Sequence, residues 1–306
     1  MIRSLYSGIG GMNNFQTKLD VIGNNIANVN TFGFKKGRAT FNDMVSQQMQ
    51  GAGAAIDGAR GGTNPMQIGL GGSTSSIDTI TTQGPPQSTG RDLDLAISGD
   101  GYFVVNDGDQ NFYTRAGNFY LDENGTLVNA DGLNLQGYSA AVLDEDDVVL
   151  DDANLSNLFI PAGQSIEQMR DNPIFGGTFA EDVDDAADIF LQSFNISDSG
   201  IITGVFSDSE NRVLGQLSMA TFANPDGLNK AGSNTFTPTN NSGAPQIGIS
   251  GEEGRGGIIP SALEMSNVDL SEEFAEMIVA QRGFQANTRM ITTSDEILQE
   301  LVNLKR

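Results

Sequence analysis

At 306 residues the chain is long enough for two or three compact domains, and the absence of Cys and His removes thiol nucleophiles, disulfides, Ser-His-Asp triads and the usual zinc ligand sets. A formal net charge of −23 argues against electrostatic binding to nucleic acid or to anionic membrane, and points to protein partners or to a solubility role. No stretch approaches the ~20 consecutive apolar residues of a membrane span, and the first residues lack the continuous apolar core of a secretory signal. That reads as a cytoplasmic protein, or as one exported by a route that uses no cleavable signal.

In chain order, Ile2, Leu5, Ile9, Met12, Phe15, Leu19, Ile22 and Ile26 recur at spacings of three and four, which predicts an amphipathic helix. Asn24, Asn25 and Asn28 cluster at its end. They either cap carbonyls and accept left-handed geometry or bridge to a neighbouring chain. A short helical pattern follows from Phe41 to Met49. From Gly51 to Gly72 glycine dominates, which predicts a linker or extended arm; no phosphate-loop spacing accompanies it.

From Ile77 onward short alternating patterns predict strands, around Leu93-Leu95-Ile97, Tyr102–Val105, Phe119–Leu121 and Thr126–Val128. Asn106-Asp107-Gly108 and Asp122–Gly125 supply the turns. Acidic clusters then break the rhythm (Asp144–Asp147, Asp151, Asp152, Glu181–Asp188). The plain reading is a solvated face; paired carboxylates around Asp146 and Asp184 raise a glycosidase or a Ca²⁺-binding module as alternatives, although no EF-hand spacing is present. Strands resume at Phe194-Asn195-Ile196, Ile201–Phe206 and Leu214–Phe222, with turns at Asp198–Gly200, Asp208–Asn211 and Asn224–Gly227.

The last segment, Val268 to Leu304, is again amphipathic. Leu270, Phe274, Met277, Phe284, Ile291 and Leu298 keep a heptad register, Ile278, Ile297 and Leu301 widen the stripe, and Gln281, Thr288 and Asp295 interrupt it. Burying the two terminal stripes on each other does not offset the entropy of ordering both segments, which favours packing against other copies of the chain over a purely internal helical core.

The expected fold is mixed and mainly β: antiparallel strands with N- and C-terminal α-helices that form a coiled coil. The order is nested, with 1–30 and 268–306 as the helical domain, 31–70 as the arm, 71–143 and 193–267 as a discontinuous β domain, and 144–192 as an acidic insertion forming a small outer domain.

Asn24-Asn25-Ile26-Ala27-Asn28-Val29-Asn30-Thr31-Phe32-Gly33-Phe34-Lys35 resembles the N-terminal signature of bacterial flagellar rod and hook proteins. Ile97–Phe103, Tyr113–Phe119, Phe222–Leu228 and Ser266–Phe274 running into Gln281–Asn287 agree with the same family in the same order. The resemblance is closer to the hook branch, through Met1–Val29 and Gly62–Gly71, with the distal-rod branch as the alternative. It implies a non-enzymatic, self-assembling tubular subunit without cofactor or metal, exported by the flagellar type III apparatus to the cell exterior. Its partners would be its own copies, a distal rod protein, a hook cap and a hook-filament junction protein, with neither nucleic acid nor membrane insertion. Residues 27–70 would brace neighbouring subunits. The implied assembly interface comprises Leu5, Ile9, Met12, Leu19, Ile22, Asn24, Asn25, Ile26 and Asn28 on the first helix, and Phe274, Met277, Ile278, Phe284, Ile291, Leu298 and Leu301 on the last.

Overall fold

The structure is a computed structural model that describes residues 2–54, 61–139, 155–161, 189–208, 210–252 and 254–304. The chain divides into two units. The first comprises 1–29, 36–80 and 268–306, and the second 30–35 and 81–267.

The first unit holds the two long helices, α1 (Ile2–Ala27) and α2 (Leu270–Leu304). Glu272 and Glu273 lie in the first turn of α2, where the helix dipole favours negative charge, and Asp269 precedes them with its carboxylate accepting from the Ser271 amide at 2.8 Å. The helices run antiparallel. Gly8 lies against Ile291, Gly11 against Asn287, Phe15 against Gly283, and Lys18 reaches Glu276 at 3.1 Å.

Alongside α1 runs an antiparallel ribbon in which Gly37–Asp43 pairs with Gly72–Thr79 and Gln47–Gln50 pairs with Met66–Ile68. The Gly53–Thr63 bridge extends the ladder outward. The helix expected from Phe41 to Met49 is therefore strand. Phe41, Met44, Val45 and Met49 imitate a three-to-four repeat, but all four are exposed on the ribbon and none lies on a packed helical face. Ile77 and Thr79, expected in the β domain, belong to this same ribbon.

The second unit is built around one antiparallel sheet. Its strands follow the order Leu191–Ile196, Ile201–Phe206, Asn211–Thr221, Asn134–Ser139, Tyr102–Asn106, Asn111–Thr114, Thr235–Thr237 and Asn229–Gly232. The 11-residue strand Asn211–Thr221 organises it, pairing along its length with Ile201–Phe206, Asn134–Ser139, Tyr102–Asn106 and Gln246–Ile249.

Both faces of Tyr102–Val105 are buried. Phe103 and Val105 enter the main core with Leu95, Ile97, Phe119 and Leu217, while Tyr102 and Val104 join a smaller cluster with Tyr113 and Phe236. Alternation along one strand thus feeds two clusters, which explains why this stretch reads as a continuous apolar run.

The sequence places 155–161 inside the acidic insertion, yet Ser156–Asn157 pairs with Asn134–Ser139, and Leu158, Phe159 and Ile160 are buried in the main core. The β unit reclaims this piece because three successive large apolar side chains are stabilised only by burial. The acidic clusters themselves, with Asp146 and Asp184, lie outside the described residues.

Candidate functional site: the helix pair, its ribbon and a buried ionic cluster

The inward line of α2 is regular. Glu273, Met277, Ala280, Phe284, Asn287, Ile291, Ser294 and Leu298 are buried or half-buried, at alternating steps of four and three. Four members of the line, Met277, Phe284, Ile291 and Leu298, are among the expected interface residues.

Others fall elsewhere. Phe274, Ile278 and Leu301 are exposed, as are Leu270, Val279, Met290, Ile297, Val302 and Leu304, so apolar surface continues around the helix beyond the inward line. On α1, Ile9 and Tyr6 are exposed and Leu5, Met12, Leu19 and Ile26 are half-buried. Ile22 and Asn25 are buried within the single chain.

Of the three asparagines, Asn28 caps, its side-chain amide donating to the Asn24 carbonyl at 2.9 Å and to Asn24 Oδ1 at 3.0 Å. Asn25 bridges within its own chain. Its Nδ2 donates to the Gly37 carbonyl (2.9 Å) and to Glu273 Oε2 (3.2 Å), and its Oδ1 accepts from the Gly37 amide (2.9 Å). One amide therefore ties the end of α1 to the start of the ribbon and to α2. Each of its polar atoms is used, as burial demands.

Burial pushes the Glu273 carboxyl above its ordinary 4.5; Glu276 and Glu272 push it in the same direction, while the Asn25 hydrogen bond and Lys36 pull it down. A raised folded-state value means that this group's contribution to stability is full below 4.5 and is lost as pH rises through the folded value. Glu273→Gln keeps an acceptor for Asn25 and removes the charge. The variant is expected to be at least as stable as the parent at pH 7, with the difference closing below pH ~4. Thermal unfolding at several pH values checks this; a variant less stable at pH 7 than at pH 4, relative to the parent, refutes it.

The ribbon is bare. From Phe41 to Ala54 every residue is exposed, and on the return strand Met66, Ile68 and Leu70 are exposed as well. A lone two-stranded ribbon has marginal stability in water.

The second unit carries a buried ionic cluster. Lys35 and Glu264 are each 1% exposed and Arg115 is 3% exposed. Lys35 Nζ donates to Glu264 Oε1 at 2.5 Å and to the Thr82 carbonyl at 2.9 Å. Arg115 Nη1 donates to both Glu264 oxygens at 3.3 and 3.2 Å, its Nε to the Gly101 carbonyl at 2.8 Å and its Nη2 to the Gly99 carbonyl at 2.7 Å. The Gly84 amide completes the set on Glu264 Oε1 at 2.8 Å. Burial, then Arg115, holds the Lys35 ammonium below its usual range, against the opposing pull of Glu264.

Three stretches that carry the family resemblance meet here: Gly33-Phe34-Lys35, Gly99–Tyr102 and Arg115. Gly33 has φ +69°, and a Cβ there would lie 2.7 Å from the Arg115 carbonyl carbon, so only glycine fits. Glu264 escapes sequence reasoning, although a lone carboxylate inside the apolar run Ile258–Met265 is the signal that could have found it. Among the described residues no group of three or more acidic side chains could hold a metal ion, and no helix is long and apolar enough to cross a membrane.

These features define a class: a nested chain whose two ends meet in one helical pair and whose middle folds as a separate β unit. Family models match in three places, the flagella basal body rod protein model at 5–35, the flagellar hook protein FlgE/F/G D1 domain at 96–204 and the flagellar basal body rod FlgEFG protein C-terminal model at 259–304. The chain is 51% identical over 307 residues to flagellar basal-body rod protein FlgG of Bacillus subtilis, covering 100% of both chains. It is 35% identical over 442 residues to flagellar hook protein FlgE of Borreliella burgdorferi, and 36% identical over 310 residues to FlgG of the same organism, again covering 100% of each chain. The chain belongs to the flagellar rod and hook protein family.

Proposed function

We propose that this chain is a structural subunit that polymerises into the flagellar hook, the tubular joint that passes motor torque to the filament. The observation that carries self-assembly is the apolar surface left on both terminal helices after they have paired, at Ile9, Phe274, Ile278, Ile297 and Leu301. In water that surface is costly, and copies of the same chain are the natural cover. The helix pair is read as the unit of a coiled coil lining a central channel, with Leu5, Met12, Leu19, Ile26, Met277, Phe284, Ile291 and Leu298 holding it. Residues 27–70 brace neighbouring copies, and the β domain, with 155–161 in its core, forms the outer shell of the polymer.

Support for the hook over the rod comes from one organism. Identity of 35% over 442 aligned positions, against 36% over 310, matches more residues of this chain to the Borreliella hook protein than to its rod protein. The distal rod is the second reading, favoured by the 51% identity to the Bacillus protein. Under the hook reading the partners are the distal rod protein, a hook cap and a hook-filament junction protein. Export through the flagellar type III apparatus places the polymer outside the cell, and no catalytic step or cofactor is involved.

Ile9→Asp with Leu301→Asp in the full chain is expected to leave a folded monomer with unchanged circular dichroism and to abolish tubes seen by electron microscopy of the concentrated protein. Normal tubes from this variant would refute the interface. Complementation separates the two branches: rescue of a strain lacking its hook protein, and not of one lacking its distal rod protein, is the expected result.

A further inference from the structure

The Lys35–Glu264–Arg115 cluster has a property that ordinary core packing lacks, because its three charges come from three remote parts of the chain and only one of them is negative. Lys35 lies on the inbound segment 30–35, Arg115 follows the strand Asn111–Thr114, and Glu264 ends the strand Ala262–Glu264, the last of the β unit. Glu264 accepts from Lys35 Nζ, Arg115 Nη1 and the Gly84 amide through its carboxylate, and from the Gly33 amide through its backbone carbonyl at 2.8 Å. Without it, two cations would be buried with no counter-ion, an arrangement far costlier than a paired one.

We propose that Glu264 is the latch of the β unit: a positioning residue that docks the inbound segment 31–35 beside Arg115, and that closes last because it joins chain segments 229 residues apart. Sheet pairs such as Tyr102–Asn106 with Asn111–Thr114 are local and need no latch. The strand Ala262–Glu264 pairs with Pro86–Ser88, and the Met265 amide donates to the Pro85 carbonyl at 3.0 Å, so the carboxylate arrives on a short, separately held ladder. The latch operates within one chain and holds whichever branch of the family the protein serves.

The test is hydrogen exchange on the full chain. Glu264→Gln keeps the shape but offers one acceptor oxygen to three side-chain and backbone donors and carries no charge. It is expected to speed exchange at the Gly33 and Gly84 amides by about tenfold or more, while amides of Asn211–Thr221 keep the parent rate. Adding Lys35→Met removes one of the two stranded cations, while Arg115 still donates to the Gly99 and Gly101 carbonyls. The double variant is therefore expected to recover much of the Gly33 protection.

A role of Glu264 in packing alone predicts the opposite, a double variant worse than the single. Unchanged Gly33 exchange in Glu264→Gln, or a double variant that exchanges faster, overturns the proposal. If Glu264→Gln unfolds the β unit outright, refolding on addition of Lys35→Met supports the latch and continued unfolding refutes it. Pulse labelling during refolding of the parent is expected to protect Gly33 and Gly84 after the Tyr102–Thr114 hairpin; simultaneous protection would refute closure as the last step.

Discussion

Gly117→Ala is expected to unfold the β unit at temperatures the parent withstands. A Cβ on Gly117 would land within bonding distance of the Leu95 carbonyl oxygen, so backbone would meet backbone and no rotamer could relieve it. The Leu95 amide donates to the Gly117 carbonyl at 3.0 Å, and Asp94 forms a bridge to Asn118, so the two segments are held together on either side of the clash. Leu95 and Ile97 are fully inside the main core, and their strand is also paired with Gly257–Pro260. Moving either segment would open that core. Overpacking usually costs about 1–3 kcal/mol, and a backbone clash with no escape belongs at or above the upper end, about 4 kcal/mol. For a unit of this size that corresponds to a fall in melting temperature of roughly 8–15 °C, measurable by calorimetry; a fall of under about 3 °C would refute the predicted fit.

Gly283→Val is expected to separate the helix pair and with it to stop assembly. The Phe15 ring rests directly on Gly283, where a Cβ would lie only 2.4–2.7 Å from ring atoms Cζ, Cε1 and Cε2. Asn287 answers from α2, its Nδ2 lying 2.6 Å from where a Cβ on Gly11 would sit. Each helix thus offers a glycine to a large side chain of the other, and this exchange fixes their axial register as well as their closeness. Valine at 283 expels the ring, leaving Phe15 without its seat at a cost of about 3 kcal/mol. Adding Phe15→Leu, which shortens the knob, is expected to restore part of the loss. The readouts are helical content of the monomer and tubes by electron microscopy; tubes of normal number and diameter from Gly283→Val would show that the register is set elsewhere.

Much of this architecture is legible in the sequence because it is local. Asn106-Asp107-Gly108, Asp122–Gly125, Asp198–Gly200 and Asp208–Asn211 each stand between strands that pair across them, as in Tyr102–Asn106 with Asn111–Thr114 and Ile201–Phe206 with Asn211–Thr221. The terminal helices also announce themselves, since a 3.6-residue period sustained over 26 and 35 residues suits neither a strand nor a loop.

What stays hidden depends on distant partners. Periodicity places Phe274 and Ile278 on the α2 stripe, but the packed line runs through Glu273, Ala280, Asn287 and Ser294, whose polarity or small size disguises a helix seam. Leu158-Phe159-Ile160 looks like part of an acidic insertion because its core neighbours lie outside its own sequence neighbourhood. Lys35 and Arg115 are visible within the resemblance, but nothing in either stretch says that a carboxylate at 264 sits between them.

The exposed ribbon has a consequence for the life of the unassembled chain. From Met44 to Ile56 and again from Gly61 to Ile77 the sequence contains no charged residue. The outer part of the ribbon, Gln47–Gln50 with Met66–Ile68, is uncharged and invites edge-to-edge pairing; the charges of the ribbon strands, Arg38, Asp43 and Asp78, all lie on its inner part. Protection has to come from elsewhere in the molecule. With 39 acidic against 16 basic residues, monomers repel one another over about a Debye length, roughly 8–10 Å at moderate salt. The acidity then works as a colloidal guard, holding copies apart until they meet in the one orientation that covers enough apolar surface to overcome the repulsion.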